Sequence, residues 1–184
     1  VIFFKNKFGK EPLNIIDIGA HKGETIKLFL QNFNINRILA FEANPIISHK
    51  LEKKIKNRKK FNKVNLINCG IGDKEDAKDL IIFSETSSST FNSINKDTKY
   101  YKRKEKFLTL FKPNKNISEN KLQIKIYPLS YFRDVDDFNK IDILKIDTEG
   151  YELNTLKGLS HDQFKKIKYI YFEHHYDLMI KKNY

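Results

Sequence analysis

Two carboxylates, Asp147 and Glu149, are the residues of this chain best placed to do chemistry. They follow directly on 141–146, a short run of mostly apolar, β-forming residues that is typical of a parallel strand covered on both faces. In an open α/β sheet, ligands bind at the carboxyl ends of the strands. The pair therefore indicates a cationic ligand, proton transfer or a metal. The alternative is that Asp147 or Thr148 only caps the helix predicted to follow.

A second strand-turn-helix unit lies near the start of the chain. The apolar stretch 13–18 runs into a turn with Gly19 and Gly23, and an amphipathic stretch continues to Phe33. Glycines permit a tight turn and a close approach of the backbone to a ligand, and the start of the helix points free N–H groups at that ligand. The glycine spacing is neither the dinucleotide fingerprint nor a phosphate loop. The turn thus predicts a ligand site without naming the ligand.

A third unit ends in an acid. The strand predicted at 37–42 finishes with Glu42, about twenty residues after the glycine turn, where nucleotide-binding folds place a carboxylate that accepts two ribose hydroxyls. The alternative is an exposed loop acid. The order of these elements favours a ligand that contains a nucleoside: a strand, a glycine turn, a helix, a second strand and an acid.

These units resemble the class I methyltransferases that use S-adenosylmethionine and, more narrowly, the FkbM family. The segments that carry the resemblance are 17–24, 41–45, 68–73, 88–90 and 145–152, with 156–158 and 172–174 also fitting. The most specific of them is Lys-Ile-Asp-x-Glu-Gly-x-Glu at 145–152. The resemblance implies methyl transfer to oxygen, often on a sugar or polyketide-like hydroxyl.

The resemblance also implies a role for each part of the site. Glu42 accepts the ribose hydroxyls, the loop 68–73 flanks the adenine, and Asp147 lies nearest the sulfonium. Asp17 orders the glycine turn or reaches the cofactor's amino group through water. The expected cofactor contacts are Asp17, Gly19, Ala20, His21, Gly23, Glu24, Thr25, Glu42, Ala43, Asn44, Asn68, Cys69, Gly70, Ile71 and Asp147.

Asp147, Glu149 and His174 are the candidate catalytic residues, because all three are expected at the carboxyl edge of the sheet. Either carboxylate is a plausible base for a hydroxyl that attacks a sulfonium, and His174, after the last predicted strand, is the rival base. A metal held by these three side chains is disfavoured, because their spacing is not a recognised ligand motif.

The predicted fold is α/β: one domain, 1–184, with a doubly wound, Rossmann-like, mostly parallel sheet in the order 3-2-1-4-5. Its strands are 13–18, 37–42, 64–69, 141–146 and 168–173, and its helices fall near 22–33, 46–58, 150–158 and 161–166. Residues 74–128 form an insertion on the acceptor side, with extra strands at 80–83 and 122–126 and a lid or loose loop at 95–120. Residues 69–73 are expected to be a flexible turn. The antiparallel strand pair that usually closes such a sheet is expected to be missing, as in a fragment of a longer protein.

Length and composition exclude several classes of protein and of site. The 184 residues, 40% of them hydrophobic, suit a single core, and no apolar run has the length of a membrane span. The single cysteine excludes an internal disulfide and a cysteine-based zinc site. A cytoplasmic location is the default expectation.

The net charge of +12 invites a nucleic-acid partner. However, arginine, the better reader of phosphates and bases, supplies only four of the 35 basic residues. A small-molecule or saccharide hydroxyl is therefore the favoured acceptor. A nucleic-acid methyltransferase and an inactive scaffold that keeps the fold remain the alternatives.

Overall fold

The structure is a computed structural model, and it describes residues 2–83, 89–91 and 119–172. The strands are β1 Leu13–Ile18, β2 Ile35–Phe41, β3 Val64–Ile67, β4 Gly70–Gly72, β5 Asp76–Phe83, β6 Ser89–Thr90, β7 Glu119–Pro128, β8 Ile141–Ile146 and β9 Ile167–Phe172. The main sheet has the order β3-β2-β1-β8-β9, and every neighbouring pair in it is parallel. This is the predicted order 3-2-1-4-5, and the Rossmann-like fold class is confirmed.

The helices on the two faces of this sheet lie close to their predicted positions. Their bounds are α1 Ile2–Phe8, α2 Glu24–Asn32, α3 Pro45–Lys56, α4 Arg133–Asp136, α5 Glu152–Lys157 and α6 His161–Lys165, with 3-10 turns at Lys59–Phe61 and Leu129–Tyr131. The exceptions are α1 and α4, which the sequence did not predict. In the part of the chain that the structure describes, no helix is long and apolar enough to cross a membrane.

A second, smaller sheet has the order β4-β7-β5-β6. The extra strands predicted at 80–83 and 122–126 lie within β5 and β7, which pair antiparallel, and are confirmed. The prediction of a flexible turn at 69–73 is wrong, since Gly70, Ile71 and Gly72 form the buried strand β4, and the strand predicted to reach residue 69 ends at Ile67. These glycines serve close packing rather than a turn. A Cβ on Gly70 would lie 2.8 Å from the Phe91 ring, and one on Gly72 would lie 2.7 Å from Ile126.

Alternate side chains of the main sheet enter two hydrophobic clusters, one on each face. Ile15 and Ile143 belong to the first cluster, and Ile16 and Leu144 to the second. All six residues of β8 are buried, as expected for a central parallel strand. The two faces are therefore closed by helices and loops, and the carboxyl ends of the strands remain for a ligand.

β9 is the outermost strand at one side of the described sheet. Phe4 and Phe8 of α1 pack against Tyr169 of β9, with ring centroids 5.7 and 5.5 Å apart. Most of the segment expected to form a lid lies outside the described residues, and so does His174. The absence of a closing strand pair stays a prediction.

Candidate active site

The glycine turn lies at the switch point of the sheet, where β1 is flanked by β2 on one side and β8 on the other. Gly19 has a φ of +80°, and a Cβ built on it would lie 1.9 Å from the backbone oxygen of Asp147. The N–H of Asp147 donates to the carbonyl of Ile18 at 2.9 Å. Glycine is required here both for its left-handed conformation and for the contact between the ends of β1 and β8. The structure therefore brings the glycine turn and the acidic segment together.

Gly19→Ala should destabilise the protein more than Gly9→Ala does. Both glycines have positive φ, but Gly9, at +55°, has nothing within 4 Å of an added Cβ. The difference between the two variants thus isolates the clash with Asp147, and we expect it to be about 1–3 kcal/mol, the usual cost of overpacking. Urea unfolding measures it, and equal losses in the two variants would show that residue 19 is under no steric constraint.

Glu42 lies just past the end of β2 and joins two loops of the site. Its Oε2 accepts the N–H of His21 at 2.7 Å, and its Oε1 accepts the N–H of Asn44 at 2.9 Å. The residue is only 6% exposed, and burial raises the pKa of its carboxyl, while the hydrogen bonds from Asn44 and His21 oppose that rise. An ionised carboxylate oxygen has room for about two hydrogen bonds. Each oxygen of Glu42 therefore keeps one acceptor position for a ligand.

Two asparagines support the loop after Glu42. The side chain of Asn44 caps α3 by accepting the N–H groups of Ile46 and Ile47 at 3.0 and 3.3 Å. The amide of Asn68 donates to the carbonyl of Glu42 at 2.6 Å. The structure thus gives both predicted contact residues a role in shaping the loop. Neither lines the cavity described below.

Lys145, on β8, was not among the predicted site residues. It pairs in register with Asp17 on β1, so both side chains project from the same face of the sheet. Its Nζ lies 3.0 Å from Oδ1 of Asp17 and 3.3 Å from Oδ2 of Asp147, and it donates to the carbonyl of Gly19 at 2.8 Å. Burial opposes the charged form of Lys145, but attraction to the two carboxylates outweighs it and raises the pKa of the ammonium. A charged residue in a strand buried on both faces was the signal in the sequence.

The loop from β8 to α5 carries the acidic residues in a constrained backbone. Glu149 has a φ of +51° and Gly150 of +95°. The carboxylate of Glu152 accepts the N–H groups of Thr148 and Gly150 at 3.3 and 2.9 Å. The hydroxyl of Thr90, in the second sheet, donates to the carbonyl of Glu149 at 2.8 Å. A non-glycine residue in the left-handed region costs about 1–3 kcal/mol, and these contacts hold it there.

A cavity of about 320 Å³ opens between these elements. The predicted residues that line it are Gly19, Ala20, His21, Glu24, Thr25, Glu42, Ala43, Cys69, Gly70, Ile71, Asp147 and Glu149. The predicted contacts that do not line it are Asp17, Gly23, Asn44 and Asn68. Asp17 is fully buried beneath the glycine turn. The lining residues that the sequence did not predict are Ile18, Phe41, Leu80, Ser89, Phe91, Lys145 and Thr148.

The polar atoms of the cavity wall indicate what it can bind. Within the described residues, Thr148 Oγ1 and His21 Nε2 are buried atoms that make no hydrogen bond. Burial raises the pKa of the Cys69 thiol to about 12, so this cysteine is not a thiolate nucleophile at neutral pH. Across residues 2–83, 89–91 and 119–172, no three potential metal ligands are grouped together. The wall offers carboxylates, the Thr148 hydroxyl and the His21 ring nitrogen to a polar organic ligand.

The chain is similar to a known protein family and to solved structures. Residues 17–180 match the model of the methyltransferase FkbM domain. The chain is similar to the methyltransferase FkbM from Methylobacillus flagellatus KT, with 17% identity over 80% of this chain and 28% of that one and a TM-score of 0.46. It is also similar to the YcgJ protein from Bacillus subtilis, with 15% identity over 40% of this chain and 32% of that one and a TM-score of 0.30. No curated protein is significantly similar to the chain.

The chain spans about a quarter of the FkbM methyltransferase and a third of the YcgJ chain with which it was compared. The family match, in contrast, extends over nearly all of the present chain and includes the glycine turn, Glu42 and the acidic segment. The protein therefore belongs to the FkbM methyltransferase family.

Proposed function

We propose that the cavity binds S-adenosylmethionine and that the protein methylates a hydroxyl group of a small molecule or saccharide. The observation that carries the proposal is the carboxylate of Glu42. It is fixed through one hydrogen bond to each oxygen, from the backbone of His21 and of Asn44, at a wall of the cavity. A carboxylate with two acceptor positions left is suited to the two hydroxyls of a ribose.

Other features of the cavity fit the same cofactor. Its volume of about 320 Å³ lies within the usual range for small-molecule sites. Gly19 lines the cavity and has no side chain, so its backbone is open to close approach by a ligand. The buried hydroxyl of Thr148, which has no hydrogen-bond partner among the described residues, offers a polar contact on the opposite loop. The carboxylates of Asp147 and Glu149 provide negative charge for a cationic sulfur.

The bound cofactor supplies an electrophilic methyl group on a sulfonium cation. The protein has to hold the acceptor oxygen in line with that methyl group, roughly 3 Å away, and remove the hydroxyl proton. We assign proton removal to Asp147, whose side chain is 32% exposed and lines the cavity. Glu149 is the second candidate, and His174, outside the described residues, is the third.

Calorimetry tests the cofactor assignment. We expect S-adenosylmethionine or its demethylated product, S-adenosylhomocysteine, to bind with micromolar affinity, equivalent to about 8 kcal/mol. Glu42→Ala should weaken binding by about 1.5–3 kcal/mol, the range for a hydrogen bond to a charged group. Glu42→Gln keeps one acceptor oxygen and should lose less than the alanine variant does.

Glu52→Ala provides the matched control. Glu52 is a half-exposed carboxylate on α3, and its loss should leave the affinity unchanged. If Glu42→Ala binds as tightly as Glu52→Ala, then Glu42 has no part in the site. If the wild-type protein binds neither compound, the inactive scaffold becomes the better account of this chain.

A further inference from the structure

The charged group formed by Lys145, Asp17 and Asp147 has no assigned role in the site. Lys145 is 3% exposed and Asp17 is fully buried, so both charges have been removed from water at a considerable cost. The next residue of β8 on this face, Ile143, belongs to an apolar cluster. The group lies directly beneath the contact between the glycine turn and the acidic loop.

The contacts of Nζ join Lys145 to three groups of the protein. An ammonium group has three N–H donors and no acceptor. Three oxygen atoms surround it, at 2.8 Å from the Gly19 carbonyl, 3.0 Å from Asp17 and 3.3 Å from Asp147. The ammonium thus forms ion pairs with two carboxylates and donates a hydrogen bond to a backbone carbonyl, all within the protein. One acceptor belongs to the glycine turn and another is the proposed catalytic carboxylate.

We propose that Lys145 is a positioning residue that fixes the carboxylate of Asp147 against the Gly19 turn. The glycine turn and the acidic loop, which form two walls of the proposed cofactor site, are thereby held in a fixed relative position. Asp17 anchors the ammonium from below. This inference rests on the proposed function, because it assumes that both walls contact the cofactor.

The residue just before the opposite end of β8 provides a matched control. Lys140 lies 2.9 Å from the carboxylate of Asp142, which is fully buried. This pair resembles Lys145 with Asp17 in chemistry, but neither residue lines the cavity. Lys140→Met therefore also separates a lysine from a buried aspartate, at the edge of the sheet away from the proposed cofactor site.

Binding of S-adenosylhomocysteine, followed by calorimetry, tests the proposal. Lys145→Met should lower the affinity by about tenfold, within the range for coupled residues in contact, while Lys140→Met should leave the affinity unchanged. Asp147→Ala removes the group that Lys145 is proposed to hold. In the Asp147→Ala protein, the loss of affinity caused by Lys145→Met should be less than about a third of the loss that it causes in the wild-type protein.

A general loss of stability would weaken binding equally in both backgrounds. The proposal would thus be overturned if Lys145→Met weakened ligand binding equally with and without Asp147. It would also be overturned if Lys145→Met bound the ligand as tightly as Lys140→Met does. If Lys145→Met does not fold, the same four-variant cycle is measured with Asp17→Asn in every protein, because no buried aspartate charge is then left unpaired. A wild-type protein that fails to bind S-adenosylhomocysteine and S-adenosylmethionine would instead contradict the proposed function.

Discussion

Asp147→Asn is expected to lower kcat by about 10²–10⁴-fold, the usual contribution of a general base. The amide keeps the shape of the side chain and some of its hydrogen bonds, but it removes the charge and the proton acceptor. Cofactor affinity should fall much less, because Glu42 and the glycine turn remain. The rate is measured with isotope-labelled S-adenosylmethionine, on the acceptor identified by transfer of the label.

Two further variants distinguish the candidates for the base. Glu149→Gln and His174→Ala are measured in the same assay, and both should retain more activity than Asp147→Asn. If Asp147→Asn and Glu149→Gln turn over normally while His174→Ala does not, the histidine is the base and the acidic cluster is structural. If all three variants stay active, the protein acts mainly by positioning its substrates.

Lys145→Met is expected to lower the free energy of unfolding by about 3–5 kcal/mol, the cost of breaking a buried ion pair by removing one partner. Burial raises the pKa of Asp17, and the Lys145 ammonium opposes that rise. Without the ammonium, Asp17 is left as a buried charge with no compensating partner. Denaturant unfolding at neutral pH measures the loss.

Asp17→Asn in the Lys145→Met background should recover part of this loss, because it replaces the unpaired carboxylate with a neutral group of the same shape. Lowering the pH should also reduce the deficit. A carboxyl whose pKa is raised in the folded state disfavours folding only at a pH at which it is ionised. A double variant no more stable than Lys145→Met alone would show that the lysine stabilises the protein by packing rather than by charge.

The sequence was sufficient for the main sheet because its central strands are short apolar runs separated by clear turns. The stretches at 13–18 and 141–146 have no polar alternation, and this pattern predicts parallel strands covered on both faces. The stretch 69–73 shows the limit of such reasoning. Glycine has no side chain, so the same residue serves a turn and a close-packed strand, and only the positions of Phe91 and Ile126 decide between them.

The sequence predicted the candidate site best where a carboxylate lies at the carboxyl end of a predicted strand. Glu42 and Asp147 line the cavity as the sequence suggested. Lys145 was missed because its buried partner Asp17 lies 128 residues away, and local patterns do not report long-range pairing. Asn44 was predicted as a cofactor contact from the family resemblance at 41–45, and the sequence alone did not show that its side chain caps α3. The sequence also did not predict that Ser89 and Phe91 line the cavity, because it does not specify the position of the second sheet.

The central claim is that this cavity holds S-adenosylmethionine between Glu42 and Asp147. A crystal structure of the protein with S-adenosylhomocysteine tests it most directly. The account predicts that both ribose hydroxyls donate to the carboxylate of Glu42, that the backbone at Gly19 contacts the ligand, and that its sulfur lies beside Asp147. A ligand bound elsewhere, or in this cavity with its ribose away from Glu42, would contradict the account.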